Sequence, residues 1–175
     1  MGYPDDRKWS DAIIPQIKQI VGPHLLEPTP FDMDCKQAAD LYIFTAKDMR
    51  IAARVRRPNG YAEMYPYEFT LRSKRDNGVK TELQKITDGW GDWFFYGHAD
   101  ADLKIVLWWL VDLKSLRAAL IRHQNNRRSS VLMGDKSNGD GTHFKWFDLR
   151  SFPKDPPILV AGSRPLPTGQ LSFAS

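Results

Sequence analysis

The residues best suited to chemistry in this sequence are arginines at alternating positions. Arg50, Arg54 and Arg56 would share one face of an extended segment, because successive side chains of a β-strand point to opposite faces. One carboxylate, Asp40, precedes them in the chain. Guanidinium groups bind phosphates and carboxylates through several N–H donors. We therefore expect the function of the chain to lie where Asp40 and this row of arginines meet.

Most of the net positive charge lies between Lys47 and Lys85. The whole chain carries a formal net charge of +4 at pH 7, whereas this segment holds ten Lys or Arg residues against five Asp or Glu residues, a local charge of +5. The other residues are therefore close to neutral in sum. A local basic field is typical of proteins that bind a polyanion, although a basic surface also serves solubility alone.

Other residues with chemical potential give weaker indications. The histidines show no spacing typical of metal ligands, and His98, at the end of an apolar segment, is expected to be structural. The single cysteine, Cys35, excludes an internal disulfide and a cysteine-rich zinc site. Trp90 lies between Gly89 and Gly91, and two interpretations stay open: a core position, or an exposed ring that stacks on a base.

The segments that must position these residues follow from hydrophobic periodicity and turn signals. Residues 39–57 are predicted to form an antiparallel hairpin, with a tight turn at Lys47-Asp48, and Asp112 and Asp148 are predicted helix N-caps. This order of elements predicts an α/β fold with a mixed central β-sheet flanked by helices. The other predicted elements are helices at 9–21, 79–90 and 113–123, strands at 61–73, 92–98, 103–111 and 144–149, a loop at 25–36 and a hairpin turn at 138–141.

Length and composition favour one α/β domain over residues 1–152, followed by a tail over 153–175 that carries five prolines. The tail is expected to be extended, docked or disordered. The first residues lack the apolar run of a signal peptide, and the apolar run 105–111 is too short to span a bilayer. Together with the single cysteine, these features predict a cytoplasmic protein without membrane contact.

The order of elements, with Asp40 opening a hairpin, resembles the PD-(D/E)xK nuclease superfamily, particularly its Holliday-junction-resolvase-like branch. In that superfamily an Asp begins one strand and a Glu-x-Lys motif lies on the next, before a helix, an apolar strand and a closing strand. Residues 39–43 are similar to the first strand, 79–96 to the helix and apolar strand, and 106–116 to the closing strand. The resemblance implies a restriction-endonuclease-like core and two carboxylates that hold Mg²⁺ or Mn²⁺.

The chain departs from this pattern at the motif itself. The strand that should carry Glu-x-Lys reads Arg54-Val55-Arg56. A guanidinium cannot ligate a cation, and its positive charge opposes a cation nearby. On the family's backbone, Asp40 beside Arg54 would therefore form an ion pair and not a metal site.

Two replacements for the missing acid stay open. Glu82 and Lys85 are one helical turn apart on the helix after the strands, and Glu82 could approach Asp40 from there. Alternatively, Glu68 could be the catalytic acid on the strand after the hairpin. In an active enzyme, Asp40 and Glu82 or Glu68 would hold Mg²⁺ or Mn²⁺, and Lys85 or Lys80 would stabilise the transition state.

Three functions are compatible with these residues. The first is a nucleic-acid-binding protein, with DNA favoured, whose nuclease-like site is catalytically degenerate and needs no cofactor. The second is a Mg²⁺- or Mn²⁺-dependent DNA endonuclease. The third is a scaffold or inhibitor that acts through a protein partner, with the proline-rich tail as the contact. The resemblance also leaves a homodimer open, because resolvase-like proteins are often dimers. In the first function, phosphates are contacted by Arg54, Arg56, Arg57, Arg72, Lys74 and Arg75.

Overall fold

A computed structural model describes residues 3–28, 41–43, 49–74, 78–125, 130–138 and 141–167. These residues form an α/β fold with a mixed sheet and flanking helices, as the sequence predicted. Within these ranges the helices are α1 (Tyr3–Val21), α2 (Tyr61–Met64), α3 (Glu82–Thr87) and α4 (Leu113–Asn125). The strands are β1 (Leu26–Pro28), β2 (Leu41–Ile43), β3 (Ile51–Arg56), β4 (Glu68–Lys74), β5 (Trp93–Ala99), β6 (Ile105–Asp112), β7 (Met133–Ser137), β8 (His143–Asp148) and β9 (Leu159–Gly162).

Two sheets contain most of these strands. The larger sheet has the order β3-β5-β6-β9, in which β3 runs parallel to β5 and the other neighbours are antiparallel. The smaller sheet has the antiparallel order β4-β8-β7, and β1 pairs with β2 in a separate ladder. Strand β5 therefore has a neighbour on each side, and its continuous apolar sequence fits this central position.

The main core lies between the two sheets. Phe69 of β4 stacks on Phe147 of β8 with ring centroids 5.0 Å apart, and its ring lies 6.1 Å from that of Phe94 on β5. All three rings are fully buried. Helix α4 adds Leu113 and Leu116 to the same core, because its apolar residues recur at helical spacing on one face. The opposite face of the larger sheet packs against α1 through a second buried cluster.

The predicted hairpin over 39–57 is wrong. Strand β2 pairs with β1, which lies inside the segment 25–36 that was predicted as a loop, and β3 pairs in parallel with β5. The physical reason is burial on both faces of β3. Ile51 and Val55 pack with the α1 cluster, whereas Ala52 packs against the core between the sheets. A two-stranded hairpin would leave one of these faces in water.

Smaller differences concern the ends of elements and strand β7. The predicted strand 61–73 begins with helix α2, and only the part after Pro66 forms β4. Helix α1 begins earlier than predicted and contains Pro15. Strand β7 was not predicted, because its polar residues lie at the exposed edge of the smaller sheet and show no apolar alternation. The turn after β7 is confirmed by the bond from the Asn138 N–H to the Thr142 carbonyl at 2.8 Å.

Both predicted N-caps are confirmed. A carboxylate oxygen of Asp112 accepts a hydrogen bond from the Ser115 N–H at 2.6 Å, at the start of α4. Asp148 accepts one from the Arg150 N–H at 2.9 Å, at the start of a short 3-10 helix. The two caps fix the direction in which the chain leaves β6 and β8.

Part of the predicted tail belongs to the larger sheet. Strand β9 pairs with β6, and Ile158, just before it, is buried in the main core. This part of 153–175 is therefore extended and docked. None of the helices in the described ranges has the length and apolar character that crossing a bilayer requires.

Candidate nucleic-acid interface

A cavity of about 420 Å³, which we call the basic cavity, lies where α3 is adjacent to the edge strands β3 and β4. Ala52, Ile86 and Trp90 supply apolar parts of its wall. The cavity is lined by five Lys or Arg side chains and one carboxylate, so its potential is positive. Its concave, low-dielectric walls focus that field. Its charged lining residues are Arg50, Arg54, Arg72, Lys80, Lys85 and Glu82.

Strand β3 places its arginines by simple alternation. Arg50, Ala52 and Arg54 all line the basic cavity, as expected for alternate positions on one face. Burial lowers the pKa of Arg54 from its ordinary value, the charge of Glu82 raises it, and the neighbouring charge of Arg56 lowers it further. Because a guanidinium stays protonated in proteins, a buried Arg54 requires a counter-charge.

Glu82 of α3 supplies that counter-charge. Its carboxylate lies 2.7 Å from Nη2 of Arg54 and accepts a hydrogen bond from the Arg72 N–H at 3.1 Å. The side chains of Arg54 and Glu82 are only 16% and 21% exposed, so the pair is largely shielded from water. The acid that was predicted as a metal ligand therefore lies beside a guanidinium and ties α3 to β3 and β4.

The predicted metal pair is only partly within the described residues. Asp40 lies outside them, so its pairing with Glu82 or with Arg54 stays a prediction. Across the ranges that the structure describes, no three His, Cys, Asp or Glu side chains are grouped so that they could hold a metal ion. The other candidate acid, Glu68, lines a neighbouring cavity and not the basic cavity. The structure thus separates Glu68 from Glu82.

Local sequence signals set both ends of α3. Thr81 and Gln84 form a capping box: the Gln84 N–H donates to the Thr81 hydroxyl at 3.3 Å, and the Thr81 N–H donates to the Gln84 side chain at 2.8 Å. Gly89 has φ +94° at the other end, and the Trp90 N–H donates to the Lys85 carbonyl at 3.0 Å. This is a helix end closed by a left-handed glycine. The helix is therefore shorter than the predicted 79–90, and of the two glycines around Trp90 it is Gly89 that follows its last turn.

The exposed-ring interpretation of Trp90 is confirmed, since its side chain is 60% exposed. The guanidinium of Arg50 lies 5.6 Å from the centre of this ring. Asp92 fixes Arg50, because its carboxylate accepts the Arg50 N–H at 2.8 Å and its own N–H donates to the Arg50 carbonyl at 2.8 Å. An open aromatic face beside cations is the arrangement on which nucleic-acid bases stack.

Arg72 carries an unsatisfied donor into this site. Its Nε is buried and has no hydrogen-bond partner among the described residues. A buried donor without a partner costs roughly 1–3 kcal/mol, and native structures contain few of them. Since Arg72 lines the basic cavity, an anion held there could accept this hydrogen bond.

Two lysines lie near the rim of the basic cavity. Lys80 forms an ion pair with Asp88 at 2.6 Å, but both side chains are well exposed, at 67% and 43%. Such surface pairs contribute little and are readily exchanged. Lys85 is exposed and stands one helical turn after Glu82. Both ammonium groups are therefore accessible to a phosphate.

The other predicted phosphate contacts lie elsewhere. Arg56 hydrogen-bonds to two hydroxyl groups in the neighbouring cavity. Arg57 forms an ion pair with Asp6 of α1 at 2.9 Å. Lys74 is exposed at the end of β4, and Arg75 lies outside the described residues. Of the predicted contacts, the structure thus brings Arg54 and Arg72 together in one cavity.

Four charged or aromatic residues of the basic cavity were absent from the predicted set of phosphate contacts: Arg50, Trp90, Lys80 and Lys85. The two lysines had been predicted only as groups that stabilise the transition state of an active enzyme. Arg50 alternates with Arg54 and Arg56, and this alternation was the available signal. Trp90 carried a second signal, because glycines flank it and glycines end helices in exposed turns. The position of Arg72 beside α3 had no signal in the sequence, since it depends on the packing of α3 against β4.

Comparison of the chain with protein-family models, with curated proteins and with solved structures gives no match. The function is therefore argued from the site itself.

Proposed function

We propose that this protein binds nucleic acid, with DNA as the favoured ligand, through the basic cavity. The observation that carries the proposal is the combination of five cationic side chains with the exposed ring of Trp90 around one concave site. Cations neutralise phosphates without reading the sequence, and an aromatic face stacks on any base. Binding should therefore be salt-dependent and largely independent of sequence.

The shape of the site favours unpaired nucleotides over an intact duplex. Trp90 can stack only on a base that has left its own stack, which holds for a single strand or a frayed end. Arg72, whose buried Nε has no partner among the described residues, also lines this cavity, and one phosphate held there could accept its hydrogen bond. The favoured ligand is thus a single-stranded DNA segment whose backbone follows the cations.

The geometry supports binding more than cleavage. Glu82 is hydrogen-bonded to the buried Arg54, and a metal ion at Glu82 would have to compete with that guanidinium. The endonuclease stays the alternative, with Asp40 as the second ligand. It is tested by incubating the protein and DNA of several shapes with Mg²⁺ and with Mn²⁺, where cleavage that is lost in Asp40→Asn would favour the enzyme.

Fluorescence anisotropy with a labelled oligodeoxythymidylate of about 15 nucleotides tests the proposal. Trp90→Ala should weaken binding by roughly tenfold or more, because stacking on one base is worth about 1–3 kcal/mol. Its matched control is Ile121→Ala, since Ile121 is 58% exposed and lies on α4. Lys85→Ala should lower the salt dependence by about 0.7 in log–log slope. Its control is Lys18→Ala, because Lys18 is also an exposed lysine in the last turn of a helix.

Equal effects of each variant and its control would contradict the proposal. In that case the basic residues would serve only as a solvated surface. Measurement at several salt concentrations is essential, because the electrostatic part of the affinity falls steeply with added salt.

A further inference from the structure

A second cavity, which we call the interlayer cavity, has a volume of about 520 Å³ and lies at one end of the space between the two sheets. Strands β3 and β5 contribute Arg56 and His98 to one wall, and β4 contributes Glu68 to another. Strands β7 and β8 and the residues around α2 complete the lining. The volume lies within the range of roughly 300–1,000 Å³ that is typical of small-molecule sites.

His98 is a buried polar residue of this cavity whose ring nitrogens lack hydrogen-bond partners among the described residues. Its side chain is only 4% exposed. Burial, and then the charge of Arg56, lowers the pKa of His98 to about 4, so the ring is neutral near pH 7. A neutral imidazole offers one donor and one acceptor. The edge of a nucleobase offers both donors and acceptors, so it would satisfy the ring nitrogen that faces the cavity in either tautomer.

The aromatic side chains of the cavity suit a planar ligand. The indole of Trp146 lies directly against the backbone of β7 at Gly134. A Cβ at this position would come within 2.6 Å of the indole nitrogen, so only glycine allows this contact. Tyr61 and Tyr65 are partly exposed, with ring centres 6.0 Å apart. These residues all line the cavity, so a flat ring can pack against them on entering.

Two cations in the cavity wall suit an anionic group on the same ligand. The guanidinium of Arg56 hydrogen-bonds to the neutral hydroxyls of Thr70 and Tyr96. The ammonium of Lys136 lies 5.1 Å from the centre of the Tyr61 ring. Within the described ranges, neither cation forms an ion pair with a carboxylate. A phosphate would therefore gain charge-assisted hydrogen bonds from both cations, although the charge of Lys136 also acts on the Glu68 carboxylate in the same cavity.

We propose that the interlayer cavity binds one nucleotide, with the base edge on His98, the base plane beside Trp146 and the phosphate near Lys136. The nucleotide is either free or one unit of a strand that also occupies the basic cavity. The strand source follows from β3, because Arg54 lines one cavity and Arg56 the other. The ring of Phe144 lies 5.6 Å and 5.0 Å from these two guanidiniums. Only the strand source rests on the proposed function.

Isothermal titration calorimetry with each of the four deoxynucleoside monophosphates, and separately with oligodeoxythymidylate, tests this inference. His98→Leu should weaken nucleotide binding about tenfold, and Lys136→Ala about threefold to tenfold. Lys136 is exposed on the edge strand β7, so its variant folds even if the buried substitution does not. Lys104→Ala, an exposed lysine outside both cavities, is the matched control and should change binding by less than about twofold.

The two sources give different results. Free monophosphates that bind the wild type and bind Lys136→Ala more weakly support the free source. Binding of the oligonucleotide alone, weakened by Lys136→Ala also in a Trp90→Ala background, supports the strand source. If neither Lys136→Ala nor His98→Leu differs from Lys104→Ala with any of these ligands, the inference is overturned. If Trp90→Ala has no effect on the oligonucleotide while Lys136→Ala weakens monophosphate binding, the proposed function fails and the interlayer site stands.

Discussion

Replacing Glu82 by glutamine tests the ion pair on which the basic cavity depends. Glutamine keeps a side-chain oxygen for the Arg72 N–H, which Glu82 accepts at 3.1 Å, but it removes the charge that faces Arg54 at 2.7 Å. Volume and hydrogen-bonding shape are nearly unchanged. The variant therefore isolates the electrostatic contribution of the carboxylate to folding and to binding.

The expected loss of stability follows from the burial of the pair. Exposed ion pairs contribute about 0–1 kcal/mol, and breaking a fully buried pair costs about 3–5 kcal/mol. Arg54 and Glu82 are 16% and 21% exposed and lie between these limits. We expect Glu82→Gln to lower the free energy of unfolding by roughly 1–3 kcal/mol, equivalent to a decrease in Tm of roughly 2–10 °C for a domain of this size.

Urea unfolding followed by tryptophan fluorescence measures this loss. The matched control is Asp135→Asn, which breaks an ion pair with Lys145 of similar length, 2.9 Å, at a carboxylate that is 72% exposed. The control should change the free energy of unfolding by no more than about 0.5 kcal/mol. If the free energy of unfolding has a similar slope with urea concentration in all of these proteins, then unfolding exposes the same amount of surface in each of them.

The same variant has an opposite effect on DNA binding. Removing the carboxylate raises the positive potential of the basic cavity, so single-stranded DNA should bind a few-fold more tightly at low salt. The reasoning is refuted if Glu82→Gln is as stable as the wild type, or if it binds DNA more weakly than the wild type does. Loss of a Mg²⁺-dependent cleavage in this variant would instead identify Glu82 as a metal ligand.

Two further predictions concern buried ionisable groups. Burial and the charge of Arg56 hold the pKa of His98 near 4, below its ordinary value of 6.5, so the unfolded chain binds this proton more readily. The free energy of unfolding should therefore fall by at most about 3 kcal/mol as the pH is lowered from 6.5 to 4. Urea unfolding across this range should show the loss in the wild type and not in His98→Leu. Asp148→Asn removes an ion pair with Arg150 at 2.6 Å. Burial raises the pKa of Glu68 and the charge of Asp148 raises it further, so this variant removes the second cause. Carboxyl NMR titration should then show the Glu68 pKa moving down towards its ordinary value, while the free energy of unfolding falls by roughly 1–3 kcal/mol.

The sequence predicted the fold class and most elements because their signals are local. The apolar run of β5, the stripe of α4 and the capping aspartates each depend on residues within one element. The partner of β3 could not be read in this way. Its alternation fits a hairpin and a parallel pair equally well, and neighbouring segments pair often enough to favour the hairpin. The choice is made by α1 and the smaller sheet, which cover its two faces.

The candidate site shows the same division. The end of α3 near Gly89 follows from adjacent residues, whereas the sequence left a core position and an exposed ring both open for Trp90. The partner of Arg54 could not be predicted, because it depends on how α3 packs beside two strands from different sheets. The family resemblance suggested Asp40 as the ion-pair partner of Arg54, whereas among the described residues this partner is Glu82.

The two arginines of β3 also explain why an anion suits this surface better than a cation. Arg54 and Arg56 lie on one face, and each lowers the cost of holding a negative group nearby while raising the cost of holding a positive one. Glu82 already forms an ion pair with Arg54, whereas Arg56 hydrogen-bonds, among the described residues, only to neutral hydroxyls. The two arginines together therefore keep a net positive charge. A divalent ion at this edge would have to overcome both guanidiniums, whereas a phosphate would complete their charge balance. Arg54 lines the basic cavity and Arg56 lines the interlayer cavity, and so a strand that contacts one guanidinium is already positioned near the other.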